Sequence, residues 1–113
     1  MKEIIIYTTE DNKCPFLEWQ NSLSIEYKVR VNKRLQRLRE GYFGDWKHLQ
    51  NSKLSELRLD FGKGYRIYFK EMDNIIILII AGSDKSNQKS TINKANKYFD
   101  EYINRRKING DKI

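Results

Sequence analysis

The chain is poor in the residues that build disulfides, metal sites and membrane spans. It has one cysteine, Cys14, one histidine, His48, and one proline, Pro15, in 113 residues. A lone cysteine excludes an intrachain disulfide, and one cysteine with one histidine argues against a structural zinc site. Cys14 reads as a buried or incidental thiol. The longest apolar run, 75–81 (IIILIIA), is far too short to cross a bilayer. The start, MKEIIIYTTED, lacks the long apolar core and small-residue cleavage site of a secretory signal. A cytoplasmic location with no membrane partner is therefore expected. No glycine-rich phosphate loop, internal repeat or low-complexity segment is visible.

What the chain does have is positive charge. Lysine and arginine number 22 against 15 acidic residues, for a formal net charge of +7. A pI near 9.5 in so small a chain points to an anionic partner. Nucleic acid, an acidic protein or a membrane surface would each satisfy it. The length suits one domain with one modest core, expected over residues 1–106, with 107–113 as a flexible C-terminal tail.

The chain is organised around residues 55–86 (SELRLDFGKGYRIYFKEMDNIIILIIAGSDKS). Leu57, Leu59 and Phe61 alternate with Glu56, Arg58 and Asp60. Tyr65, Ile67 and Phe69 alternate with Arg66, Tyr68 and Lys70. Period-two alternation marks strands with one buried face, and Gly62-Lys63-Gly64 marks the turn between them. Apolar residues must pair with apolar ones across a hairpin. A three-residue loop does this, setting Phe61 opposite Tyr65, Leu59 opposite Ile67 and Leu57 opposite Phe69, with Gly64 left-handed. Arg58 then faces Tyr68, and Asp60 faces Arg66. Arginines, a tyrosine and Lys70 on one sheet face suit a phosphate backbone. A solvated face with an Asp60–Arg66 pair is the plain alternative.

Around this hairpin, residues 3–7 read as a first strand, apolar on both faces. Pro15 suits the first turn of a short helix with Phe16, Trp19 and Leu23 on one stripe. Ser24 is a candidate N-cap for a second helix, buried along Tyr27, Val31, Leu35 and Leu38 and stopped by Gly41. That helix carries Lys28, Arg30, Lys33, Arg34, Arg37 and Arg39 against Glu26 and Glu40. Residues 42–53 read as irregular or weakly extended. The all-apolar run at 75–81 predicts a strand covered on both faces, with the first strand as its other neighbour. A last helix is predicted over 88–106, with Ser86 or Asn87 as its cap. Lys85 would sit where strand end and helix start meet, a position that favours anions. The predicted class is α+β, in the order β-α-α-β-β-β-α.

These residues resemble the RelE/ParE superfamily of type II toxins, and within it the HigB-like addiction module killer proteins. The resemblance spans roughly residues 3–103. It rests on FLEWQNSL at 16–23, RLQRLREGYFGDWKHL at 34–49, SELRLDFGKGYRIYF at 55–69 and AGSDKSNQKSTINKA at 81–95. It implies a small single-domain RelE-like fold with a twisted, mainly antiparallel sheet. It also implies a toxin neutralised by a cognate antitoxin, usually a helix-turn-helix protein. RelE-like and HigB-like members are mRNA interferases: endoribonucleases that cut mRNA on the ribosome, inhibiting translation, with no metal or other cofactor. ParE-like members instead inhibit DNA gyrase, and gyrase is the alternative partner. By position, Arg58 and Arg66 match the family's sheet arginines, Lys47 a basic residue before them, and Lys85 and Gln88 the polar turn motif. The sequence departs from the family pattern at Ser83 and Thr91.

RNA cleavage needs the 2′-hydroxyl deprotonated, the phosphorane charge stabilised and the 5′-oxygen protonated. The expected catalytic residues are Arg58 and Arg66, holding the phosphate, with Lys85 or Lys47 as general base. That last role requires neighbouring positive charge to favour the neutral amine. Tyr68 is the candidate to stack on a base, and Gln88, Lys63, Lys70, Lys33, Arg37 and His48 are further RNA-contact candidates. No metal ligands are assigned.

Overall fold

The computed structural model describes residues 1–108. Five strands form one sheet: β1 (Glu3–Ile6), β2 (Trp46–His48), β3 (Ser55–Arg58), β4 (Arg66–Glu71) and β5 (Ile76–Ser83). The helices are α1 (Pro15–Asn21), α2 (Ile25–Arg39) and α3 (Gln88–Ile108). Strand order across the sheet is β1-β5-β4-β3-β2. Among the described residues only the β1–β5 contact is parallel, and the others are antiparallel. The class is α+β, as expected. The order gains a strand, because residues 46–48, within the segment read as irregular or weakly extended, pair with β3 and close the sheet's far edge. Among the described residues no helix is long and apolar enough to cross a membrane.

Local signals account for the elements. Pro15 opens α1. Ser24 caps α2, its hydroxyl accepting the Tyr27 N–H. The apolar run forms β5, buried from Ile77 to Ser83 between β1 and β4. The predicted end of α3 is exceeded: the helix continues through Lys107 and Ile108, and the rest of the expected tail, 109–113, lies outside the described residues.

The sheet has two differently furnished faces. On one, α1 and α2 cover Leu57, Leu59, Ile67, Phe69, Ile77 and Ile79, with Phe16, Val31 and Leu38 contributed by the helices. Aromatic rings tie this layer together. Trp19 meets Tyr65 edge-on, and Tyr27 stacks on Phe61. Trp19 lies so close to β5 that a Cβ on Gly82 would fall 2.2 Å from its ring, so only glycine fits there. On the other face, α3 lays Ala95 and Phe99 over Tyr7, Tyr68, Leu78, Ile80 and Ala81. A bulge helps this second core. Between the pairs Tyr68–Ala81 and Phe69–Ile79, β5 has one residue more than β4, so Ile80 and Ala81 both join the α3 side.

The hairpin register differs from the predicted one by two residues. Leu57 pairs with Ile67 and Arg58 with Arg66, and the Leu59 N–H donates to the Tyr65 carbonyl at 3.0 Å. Residues 60–64 form the loop, with Gly64 left-handed at φ +69°. A shift of two preserves the side-chain faces, so alternation alone does not distinguish the two registers. Phe61 decides it. Instead of pairing with Tyr65 across the ladder, its ring leaves the sheet to stack on Tyr27, while Arg30 sits 4.4 Å from its centroid on the outside. The predicted Asp60–Arg66 and Arg58–Tyr68 pairs are thereby replaced.

Candidate functional site

α3 covers only part of its sheet face. Beside the first turn of α3, where β3 ends and β4 begins, the face carries Glu56, Arg58 and Arg66. Arg58 and Arg66 are direct cross-strand partners, and Glu56 lies on the same face two pairs further on. Two like charges directly opposite would destabilise the ladder. The Glu56 carboxylate offsets this. Its Oε1 accepts from Arg58 Nε and from Arg66 Nη1, each at 3.2 Å. Its Oε2 accepts from Gln88 Nε2 at 3.0 Å. Glu56 is fully buried, the Arg66 side chain is 15% exposed and the Arg58 side chain 41%. One carboxylate therefore joins side chains from β3, β4 and α3.

The flanking lysines fall on two sides of this group. Lys47 on β2 is the cross-strand partner of Glu56, hence on the same face, and is exposed. Lys85 follows Ser83, the cross-strand partner of Arg66. Its backbone N–H donates to the Lys63 carbonyl at 3.1 Å, so the loops bearing Lys63 and Lys85 meet beyond the arginines. Lys85 and Gln88 line one shallow groove at the start of α3. Asp84 shapes that turn: its Oδ1 accepts the backbone N–H of Ser86 and of Asn87. The Ser86 hydroxyl bond holds the Asp84 carboxyl below its ordinary range.

Three predicted contacts lie elsewhere. Tyr68 shares the face but is fully buried under α3, its hydroxyl 2.8 Å from the Ser83 Oγ. Burial pushes its pKa up to about 12, and its ring is closed to a stacking base. Lys70 lies four residues along β4 from Arg66, about 13 Å away at strand rise. His48 alternates with Lys47 and so falls on the opposite face, with Trp46. Lys33 and Arg37 line an open groove on α2 with Arg30, Asp60 and Phe61. Arg37 also shares a hollow with Tyr42, Asp45 and Arg58, which brings the basic surface of α2 to the edge of the arginine pair. Between them Arg34 turns inward to the Phe43 carbonyl. Burial first, then the charge of Arg37, lowers its pKa.

Sequence reasoning missed Glu56. It looked like an ordinary polar position in an alternating strand. Its spacing of two from Arg58 puts both on one face, which was the available signal. That Arg66 joins the same oxygen depends on the true register.

No family model matches the chain. An uncharacterized protein of Haemophilus influenzae (strain ATCC 51907 / DSM 11121 / KW20 / Rd) is 38% identical over 81 residues, covering 71% of this chain and 81% of the relative. At that identity and coverage, the chain belongs to one family with the Haemophilus influenzae protein.

Proposed function

We propose that this chain is the toxin of a type II toxin–antitoxin pair, with a RelE-like fold, and that it cuts mRNA on the ribosome. The observation that carries the reading is the pairing of Arg58 with Arg66, both partly exposed and both tied to one buried carboxylate oxygen beside the start of α3. Guanidinium groups suit a phosphate because they present several fixed N–H donors and keep their charge. In the proposed reaction the 2′-oxygen attacks the adjacent phosphorus and the 5′-oxygen departs. Arg58 and Arg66 carry the charge that builds on the phosphorane oxygens. Lys85 or Lys47 takes the 2′-hydroxyl proton, and the lysine that keeps its proton can return one to the 5′-oxygen. The groove on α2, with Arg30, Lys33 and Arg37, extends positive charge away from the reacting centre, as a grip on ribosomal RNA requires.

The reading carries two partners: the ribosome with its mRNA, and an antitoxin, in this branch a helix-turn-helix protein, acting in the cytoplasm. Primer extension on mRNA translated in the presence of the protein tests it. Cuts that need the ribosome are the expected result. Intact mRNA together with stabilised gyrase–DNA breaks would replace the nuclease reading with the ParE-like one.

A further inference from the structure

We propose that Glu56 is a positioning residue, whose buried carboxylate locks Arg58 and Arg66 into one rigid cradle shaped and charged for a phosphodiester. The inference rests on the nuclease reading above and adds to it the group that organises the two arginines.

Burying a carboxylate is costly unless it is paired and hydrogen-bonded. Glu56 is fully buried, and it meets the cost with three donors from three elements. Well-packed apolar residues often replace such buried ionic groups without loss of stability. The reason to keep a carboxylate here lies in what it does to the arginines. It engages Arg58 through Nε and Arg66 through Nη1. Among the described residues, no other hydrogen bond or ion pair engages the two terminal nitrogens of Arg58 or Nη2 of Arg66. Arg66 Nε is buried without a partner, so its guanidinium is oriented from one side only. Each side chain is held by one edge, which leaves the terminal nitrogens of Arg58 and Nη2 of Arg66 without a partner among the described residues.

Charge follows the same logic. Two guanidinium groups sharing one carboxylate leave a single net positive charge. That matches the single negative charge of an internal phosphodiester, and it matches a doubly charged terminal phosphate less well. Removing the Glu56 charge while keeping its shape would strengthen general attraction for anions and loosen the geometry. Binding and turnover would then move apart, because only interactions fixed in the transition state accelerate the step.

The test has a spectroscopic arm and a kinetic arm, both on the full chain. In the arginine side-chain nitrogen–proton NMR spectrum of the unmodified protein, Arg58 Nε and Arg66 Nη1, the two nitrogens bonded to Glu56, are expected to give separate, slowly exchanging signals. In Glu56→Gln these should merge with those of solvent-exposed arginines. On programmed ribosomes, Glu56→Gln should lower kcat roughly a hundredfold while KM stays level or falls. A rise in KM with kcat retained, or Arg58 Nε and Arg66 Nη1 signals that ignore the substitution, would overturn the proposal. Should the variant fail to fold, the unmodified protein still decides: rapidly averaged signals from Arg58 and Arg66 refute a locked cradle. If the unmodified protein cuts no RNA, the nuclease reading fails, and the spectra still report whether Glu56 locks the pair.

Discussion

On the side of the sheet covered by α1 and α2, Leu57, Ile67 and Phe69 meet Phe16, Val31 and Leu38 in one buried apolar cluster. On the α3 side the sheet presents Tyr68, Leu78 and Ile80 under the helix, then Glu56, Arg58 and Arg66 beside its first turn. The first face can be sealed because two helices share it. The second has one helix, and at the strand ends beside its first turn the partly exposed Arg58 and Arg66 meet water. A buried carboxylate between two guanidinium groups lets the chain change from core to charged surface within one strand pair. The first face supplies stability, and the second supplies a place where charge is fixed.

The two faces should respond differently to truncation. Phe16→Ala removes a fully buried ring from the sealed face. We expect a loss of about 3–5 kcal/mol in urea unfolding, a large share of the total for a domain of this size. A loss below about 1 kcal/mol would mean that α1 is not packed as described.

Tyr68→Phe probes the covered part of the second face. It removes the hydroxyl bonded to Ser83 and should cost about 1 kcal/mol, with RNA affinity unchanged because the ring is buried. A drop in affinity would restore the stacking role. Alkaline unfolding sharpens the point. The folded-state pKa of Tyr68 is raised from 10.0 to about 12, so the unfolded chain loses this proton first. The stability linked to it is full below pH 10 and is lost as pH rises through about 12. The fall over that range should be shallower in Tyr68→Phe.

The smallest effects belong to the outer surface of α2. Lys33→Ala and Arg37→Ala should each reduce the slope of log affinity for single-stranded RNA against log salt by about 0.7, with folding stability unchanged within about 0.5 kcal/mol. Filter binding across a salt series reads this directly. A slope that stays put in both variants would remove the α2 groove from the RNA path.

Much of the fold could be read from the sequence, because it depended on local rules. Pro15 and Ser24 mark helix starts, and the unbroken apolar run at 75–81 could only be an interior strand. What escaped depended on relations between distant residues. Residues 46–48 are too few to alternate, so β2 exists only through its pairing with β3. The hairpin slipped by two because both registers keep the same faces, and Phe61 has its partner in α2, far away in sequence. Tyr68 looked solvent-facing because alternation in β4 says nothing of the helix that covers it. The arginines were legible as a pair on one face. Their link through Glu56 needed the register and α3 together.

The most direct test of the arginine cradle is the rate of mRNA cutting on programmed ribosomes by Arg66→Ala beside the unmodified protein, with unfolding curves taken on both. Removing one donor that stabilises the developing phosphorane charge predicts a rate lower by roughly a hundred- to a thousandfold in a protein that remains folded. A folded Arg66→Ala variant that cuts as fast as the unmodified chain would contradict the account.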